Sequence, residues 1–124
     1  MAVAAQSEAK HPIDRQLDKC LSVKHGTMPR AECYSKAFEA WDKDVSTTYA
    51  KLKETLPAAQ VEPLVAAQAS WEHYRDDEFG FIAALYAKRR GTGYISTRII
   101  LRTEIVKARA VLLEGRERAT GGAQ

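Results

Sequence analysis

The chain has 124 residues, of which 45% are hydrophobic and 28% are charged, and this composition is typical of a single globular domain. Nineteen basic and sixteen acidic residues give a formal net charge of +3, which does not by itself indicate nucleic-acid binding. No apolar run approaches the roughly 18 residues that a membrane-spanning helix needs, so the sequence predicts no such helix.

The stretch AVAAQ at residues 2–6 has small residues in the A-x-A pattern at which signal peptidase cuts. The charged and apolar parts of a signal peptide are absent. We therefore expect residues 1–10 to be the remnant of a signal-cleavage region in an exported protein, with the signal peptide removed. A disordered alanine-rich start is the alternative.

Cys20 and Cys33 close a loop that a disulfide would stabilise by about 3 kcal/mol, through the chain entropy lost by the unfolded state. Two thiols without a histidine at ligand spacing do not predict a zinc site, and their spacing differs from that of a redox C-x-x-C motif. In a cytosolic protein they would be buried free thiols. The cleavage-like amino terminus favours the disulfide.

Prolines and glycines divide the chain into four helical segments, and no sustained alternation of apolar and polar residues predicts a strand. The first segment runs from about His11 to Val23. The second runs from Thr27, a good N-cap, to Leu56, because Pro57 ends it. Its apolar stripe advances in steps of three and four: Cys33, Ala37, Trp41, Val45, Tyr49, Leu52 and Leu56.

The third segment runs from about Val61, with Pro63 in its first turn, to Arg90, and the fourth from about Ile95 to Glu117. The stripe of the third is Leu64, Gln68, Trp71, Arg75, Phe79, Ile82 and Tyr86. The core positions expected in the fourth are Ile95, Ile99, Leu101, Ile105, Ala108 and Leu112. Short connections between long helices predict antiparallel neighbours. The sequence thus predicts one all-α domain over residues 11–117, with a short amino-terminal helix, three longer antiparallel helices and a frayed tail at 118–124.

No catalytic, metal or cofactor motif is present. His11, His25 and His73 have no serine or cysteine beside them in a recognisable motif, and zinc, phosphate-loop and dinucleotide motifs are missing. The three acidic residues at 76–78 are neighbours in sequence, so a helix points them in different directions. We therefore predict no catalytic residue, no metal ligand and no cofactor.

The last third of the chain is basic, with KRR at 88–90 and further arginines on the fourth segment. Arg102 and Arg109 share a helix face, but Glu104 and Glu114 are mixed among them and no helix-turn-helix spacing occurs. We therefore predict no nucleic-acid partner.

Gln68, Trp71 and Arg75 lie on one face of the third segment, where apolar residues would be expected. A buried arginine is tolerated when its stem packs on an aromatic ring and its guanidinium meets a carboxylate. The candidate carboxylates are Asp42 and Asp76. This pattern favours a polar seam between the second and third helices, flanked by Trp41 and Trp71, over a ligand site.

The ordered series Cys20-x12-Cys33, WD at 41–42, AQASW at 67–71, YRD at 74–76 and RAVLL at 109–113 resembles the LprI-type proteins. These are small exported bacterial domains named for a mycobacterial lysozyme inhibitor, and the resemblance covers about Pro12 to Leu113. It implies a helical, disulfide-bonded domain of the periplasm or cell exterior that binds and blocks lysozyme. It also implies that a series of residues is scaffold: Trp41, Asp42, Gln68, Trp71, Arg75 and Asp76.

One departure concerns a second cysteine pair that many relatives have. Phe79 and Leu101 occupy those two positions in this chain. Both side chains are large and apolar, so we predict that they touch and that packing replaces the covalent link.

The partner expected from the resemblance is a protein, and animal lysozymes are strongly basic. This chain is also net positive, so a local acidic patch would have to meet such a partner. Asp77 and Glu78, at the outer edge of the seam, are the predicted partner contact. An immunity or envelope-stress protein that binds another bacterial effector is the alternative, and the sequence predicts no oligomeric state.

Overall fold

The computed structural model describes residues 10–121, which contain four α-helices and no strand. We number them α1 (Pro12–Val23), α2 (Thr27–Thr55), α3 (Ala58–Leu85) and α4 (Gly93–Gly121). The predicted all-α class is confirmed. Residues 1–9 of the expected cleavage remnant (1–10) and the last three residues of the chain lie outside the described part. Within it, no helix has the length and apolarity needed to cross a membrane.

Helix α1 begins as predicted, whereas α2 begins with a different cap. Pro12 lies in the first turn of α1, and the His11 ring caps the helix because its Nδ1 accepts a hydrogen bond from the backbone N–H of Ile13 at 3.1 Å. The N-cap of α2 is Gly26, not Thr27. Gly26 has a φ of 94°, a left-handed conformation that glycine adopts without steric cost.

The boundaries of α3 and α4 differ from the predicted ones. Helix α3 starts at Ala58, directly after Pro57, so Pro63 lies inside the helix and not in its first turn. Helix α3 ends at Leu85, five residues before the expected end. Helix α4 continues to Gly121, so residues 118–121 are helical and the predicted start of the frayed tail was wrong.

The core lies where α2 packs along α4. Its buried side chains alternate between the two helices: Trp41, Val45 and Leu52 from α2, with Val106, Ala110 and Leu113 from α4. The predicted α2 stripe is therefore confirmed at its centre, whereas the predicted α4 core positions are confirmed at Ile99 and wrong at Ala108 and Leu112. Leu112 and Ala108 are exposed and Val106 is fully buried. Helix α4 is apolar on two faces, and periodicity alone does not tell which of them meets α2.

Contacts near both helix ends show that α2 and α4 run in the same direction. Lys51 and Glu117, near the two carboxyl ends, form an ion pair of 3.2 Å, while Tyr34 and Ile100, near the two amino ends, line one groove. Helix α3, which lies between α2 and α4 in the chain, runs in the opposite direction to both. The rings of Phe38 on α2 and Phe79 on α3 lie 6.1 Å apart, consistent with the predicted antiparallel neighbours.

Two further side chains join α3 to the rest of the bundle. The Tyr86 ring at the end of α3 lies 5.6 Å from the Tyr94 ring at the start of α4. Phe79 packs against the core, and Leu101 is half-buried on α4. Direct contact between Phe79 and Leu101 stays a prediction.

Cys20 and Cys33 form the predicted disulfide, with their Cα atoms 5.8 Å apart. Cys33 is buried on α2, whereas α1 has no buried residue along its 12 residues. The apolar side chains of α1 are only partly buried, Ile13 among them against the core, and the covalent link adds a fixed point to this packing.

Replacing both cysteines by serine should lower the free energy of unfolding by about 3 kcal/mol, because the unfolded chain regains the entropy of the closed loop. Urea unfolding followed by circular dichroism would measure the change. The reduced wild-type protein is the matched control and should lose a similar amount. Unchanged stability in both would show that the link does not constrain the unfolded state.

Candidate functional site

Gln68 is the buried polar residue at the centre of the predicted seam. Only 5% of its surface is exposed, and its Oε1 accepts hydrogen bonds from Nε of Arg109 at 3.0 Å and from Nη2 at 2.8 Å. Helix α3 positions Gln68 and α4 positions Arg109, so the contact joins these two helices. The prediction that the seam joins α3 to α2 was wrong, because Gln68 bonds α4 instead.

Trp71, one turn after Gln68, contacts two guanidinium groups. The guanidinium carbon of Arg75 lies 5.2 Å from the indole ring centre and that of Arg109 lies 5.7 Å from it. Both distances are within the range of a cation–π interaction. The ring thus covers both charges on the seam, and the stems of the arginines pack beside it.

Arg75 is held by the carboxylate of Asp76, its neighbour on α3. Its Nε donates to Asp76 Oδ1 at 3.0 Å, and its Nη2 lies 2.9 Å from the same oxygen. Of the two carboxylates predicted to pair with Arg75, Asp42 and Asp76, it is Asp76 that does so. Asp42 is exposed on α2 and forms no ion pair with another described residue, and Trp41 lies in the α2–α4 core.

The sequence did not reveal the role of Arg109. Burial, with the positive charge of Arg116, lowers the pKa of the Arg109 guanidinium, while Glu72 acts in the opposite direction. The charge is made tolerable by Gln68 and by the face of Trp71. Arg109 begins the RAVLL stretch, but its spacing in the sequence only places it on the same helix face as Arg102.

A second polar group, the His11 cluster, consists of His11, Asp44 and Glu114. It brings together α1, α2 and α4, with one possible ligand atom of each residue within 4.8 Å of the others. His11 Nε2 lies 3.0 Å from Glu114 Oε2, and the imidazole ring lies 4.3 Å from the Trp41 ring. Positions 11, 44 and 114 form no recognisable spacing, so no sequence signal could have found this cluster.

The His11 cluster offers a histidine nitrogen and carboxylate oxygens, which are ligands that divalent metals bind. Its hydrogen bonds, however, suit a proton shared among these groups better than a metal ion. Nδ1 of His11 accepts from the backbone N–H of Ile13, which places the ring hydrogen on Nε2, facing Glu114. A metal on Nε2 would move that hydrogen to Nδ1 and remove the helix cap. The residues therefore fit a hydrogen-bonded site better than a metal site.

The predicted partner contacts, Asp77 and Glu78, lie near an exposed stripe of α3. Asp77 is exposed, with its carboxylate 4.0 Å from His73 Nδ1, and Glu78 is half-buried. The outer stripe, as we call it, consists of Tyr74, Asp77, Phe81 and Leu85. Its three apolar members are each at least 50% exposed. Spacings of three and four place them on one face of the helix.

A groove of about 320 Å³ continues from the outer stripe to α4. Tyr74 belongs to both surfaces, and Trp71 also lines the groove on the α3 side. The α4 side is formed by Glu104, Ile105, Ala108, Arg109 and Leu112. Most of this lining is apolar or aromatic, and Glu104 and Arg109 are its charged members, so the groove offers a largely apolar contact surface.

These contacts define a small helical domain with one disulfide, an internal polar seam and an exposed apolar surface. A comparison with protein families matches the family described as lysozyme inhibitor LprI over residues 20–113, so the chain belongs to that family.

Among solved structures, the crystal structure of an uncharacterized protein from Burkholderia thailandensis is similar, with a TM-score of 0.78 and 28% identity. The match covers 87% of this chain and 54% of the Burkholderia chain, so this protein spans about half of that chain. No protein of curated function matches significantly.

Replacing Gln68 by leucine should destabilise the protein by about 1–3 kcal/mol, because Arg109 would lose the acceptor of both its hydrogen bonds while remaining partly buried. Chemical unfolding would measure the change. Gln60 on the same helix is exposed, and its replacement by leucine should change stability by less than about 0.5 kcal/mol. Equal effects of the two substitutions would contradict the seam.

Proposed function

We propose that the protein is an exported, non-enzymatic binding domain that inhibits a lysozyme-type muramidase. Membership of the lysozyme inhibitor LprI family supports the partner class, and the Cys20–Cys33 disulfide supports an oxidising compartment such as the periplasm or cell exterior. The outer stripe of α3 is the observation that carries the binding function.

The outer stripe has the composition of a protein interface. Phe81 is 58% exposed and Tyr74 is 52% exposed, although burying such side chains is favourable. Aromatic residues are the commonest anchors of protein–protein contacts, and several exposed on one face are unusual for a surface without a partner. Leu85 extends the stripe, and the α3–α4 groove widens it beside Tyr74.

The charge of the outer stripe fits a basic partner despite the net charge of +3. Asp77 lies between the two aromatic residues along the helix, and Glu78 is next to it. The arginines closest to this region are engaged elsewhere, since Arg75 bonds Asp76 and Arg109 bonds Gln68. The local surface therefore presents carboxylates around an apolar centre, which suits a basic enzyme surface.

An inhibition assay against an animal lysozyme, with peptidoglycan clearing as the readout, tests the proposal. We expect a concentration-dependent loss of activity. Phe81→Ala removes an anchor and Asp77→Lys reverses a charge, so each should weaken inhibition by about tenfold.

The matched controls change similar residues on other helices. Val23→Ala shortens an exposed apolar side chain on α1, and Glu54→Lys reverses an exposed charge on α2; both should inhibit as well as the wild type. No inhibition by micromolar wild-type protein would sink the lysozyme proposal, and a pull-down from periplasmic extract would then test for a different bacterial effector. If the α3 variants inhibit as well as the wild type, the interface does not include the outer stripe.

A further inference from the structure

Helix α1 is attached to the bundle by two different kinds of link. Near its carboxyl end, Cys20 is bonded covalently to Cys33. At its amino end the polar links are Lys107 Nζ to Asp14 Oδ2, at 2.8 Å, and His11 to Glu114. No residue of α1 is fully buried, and Ile13 is only partly buried against the core, so these polar links contribute to holding its amino end in place.

The His11 cluster has an unbalanced charge when both of its carboxyl groups are ionised. Oδ2 of Asp44 is buried and accepts no hydrogen bond from any described group, although Glu114 lies close to it. Two adjacent carboxylates repel each other, and a buried oxygen without a donor is costly. One proton placed on Asp44 corrects both faults, because the resulting O–H can donate to Glu114.

Glu114 is suited to accept that hydrogen bond. It already faces the Nε2–H of His11, and the charge of Arg118 on α4 also favours its ionised form. A chain of hydrogen bonds then runs from the backbone of Ile13 through the imidazole of His11 to Glu114 and Asp44. This chain connects α1, α2 and α4.

We propose that the His11 cluster is a proton-dependent attachment site for α1. With one proton shared between Asp44 and Glu114, the amino end of α1 is held on α2 and α4. When the proton leaves, the charge on the buried Oδ2 of Asp44 has no hydrogen-bond donor. Detachment of the amino end of α1 lets water reach that charge, while the disulfide retains the carboxyl end of α1. This inference is independent of the identity of the partner.

The direction of the pH dependence follows from Asp44. Burial, then the hydrogen bond and the charge of Glu114, raise the pKa of Asp44 from 3.8 to about 7. A raised pKa in the folded state means that the stabilisation is complete below the unfolded value and is lost as pH rises towards 7. The attachment therefore weakens between mildly acidic and neutral pH.

Other charged groups around Asp44 adjust this dependence without reversing it. His11 from α1 lowers the pKa of Asp44, whereas Glu117 from α4 raises it further. Lys51 from α2 forms an ion pair with Glu117. Burial opposes the ionisation of Glu114, but its hydrogen bonds with Asp44 and His11 outweigh burial and lower its pKa from the ordinary 4.5. Its own contribution is therefore lost as pH falls below that ordinary value. The attachment should be firmest in mild acid.

Hydrogen exchange of α1, measured by mass spectrometry between about pH 5.5 and 8.5 and corrected for intrinsic rates, tests the proposal. Protection of α1 should fall by up to tenfold per pH unit towards neutrality, since one proton is linked to the change. Protection of the core segments of α2 and α4 should stay constant. EDTA in every sample prevents a bound metal from producing the transition.

Asp44→Asn is the decisive variant, because asparagine cannot ionise and its amide can donate to Glu114. This variant should retain at pH 8.5 the α1 protection that the wild type has at pH 5.5. Asp42→Asn is the matched control, two residues earlier and exposed, and its transition should match that of the wild type. The same transition in Asp44→Asn, or none in the wild type, would overturn the proposal.

Trp41 provides a second measurement that does not depend on how the Asp44 variant folds. It is only 1% exposed, with the His11 ring against it. In a Trp71→Phe protein, detachment of α1 should increase acrylamide quenching of Trp41 fluorescence as pH rises through about 7. Constant quenching across this range would contradict detachment.

Discussion

The packing of α2 along α4 is the constraint on which the other parts of this protein depend. Trp41 and Leu52 on α2 are nearly free of solvent, and so are Val106 and Leu113 on α4. Burial of such side chains contributes roughly 1.5–3 kcal/mol each. The two helices run in the same direction, so the chain between them has to return as α3. The remaining elements are attached to this pair by more local contacts.

Helices α1 and α3 are held to the pair in different ways, and the difference explains where function can reside. Helix α1 is held by the disulfide, by ion pairs and by the partly buried Ile13, and the proposed proton-dependent site would add a dependence on pH. Helix α3 depends on a narrow seam around Gln68 and Trp71, together with Phe79 and Tyr86. Only one face of α3 is needed for that contact. Its other face leaves the side chains of the outer stripe exposed, and this is the surface proposed to bind a partner.

Much of the fold was predictable because helix boundaries and apolar periodicity are local properties. The four segments, the α2 stripe and the α3 stripe follow from proline and glycine positions and from steps of three and four. Errors arose where two solutions were locally equivalent. Thr27 and Gly26 are both acceptable caps, and α4 has apolar residues on two faces. The tertiary structure selects one face of α4, because only one of the two can lie against Trp41.

The sequence by itself determined that this chain is a helical domain with two cysteines in reach of each other and a Gln-Trp-Arg face on the third helix, since these features depend on short spacings. Only the tertiary structure decided that Gln68 meets Arg109 and that His11, Asp44 and Glu114 converge. Gln68 and Arg109 are 41 residues apart and His11 and Glu114 are 103 apart, so their meeting depends on the directions and rotations of whole helices. Periodicity identifies a face of a helix, whereas packing decides which neighbour that face meets.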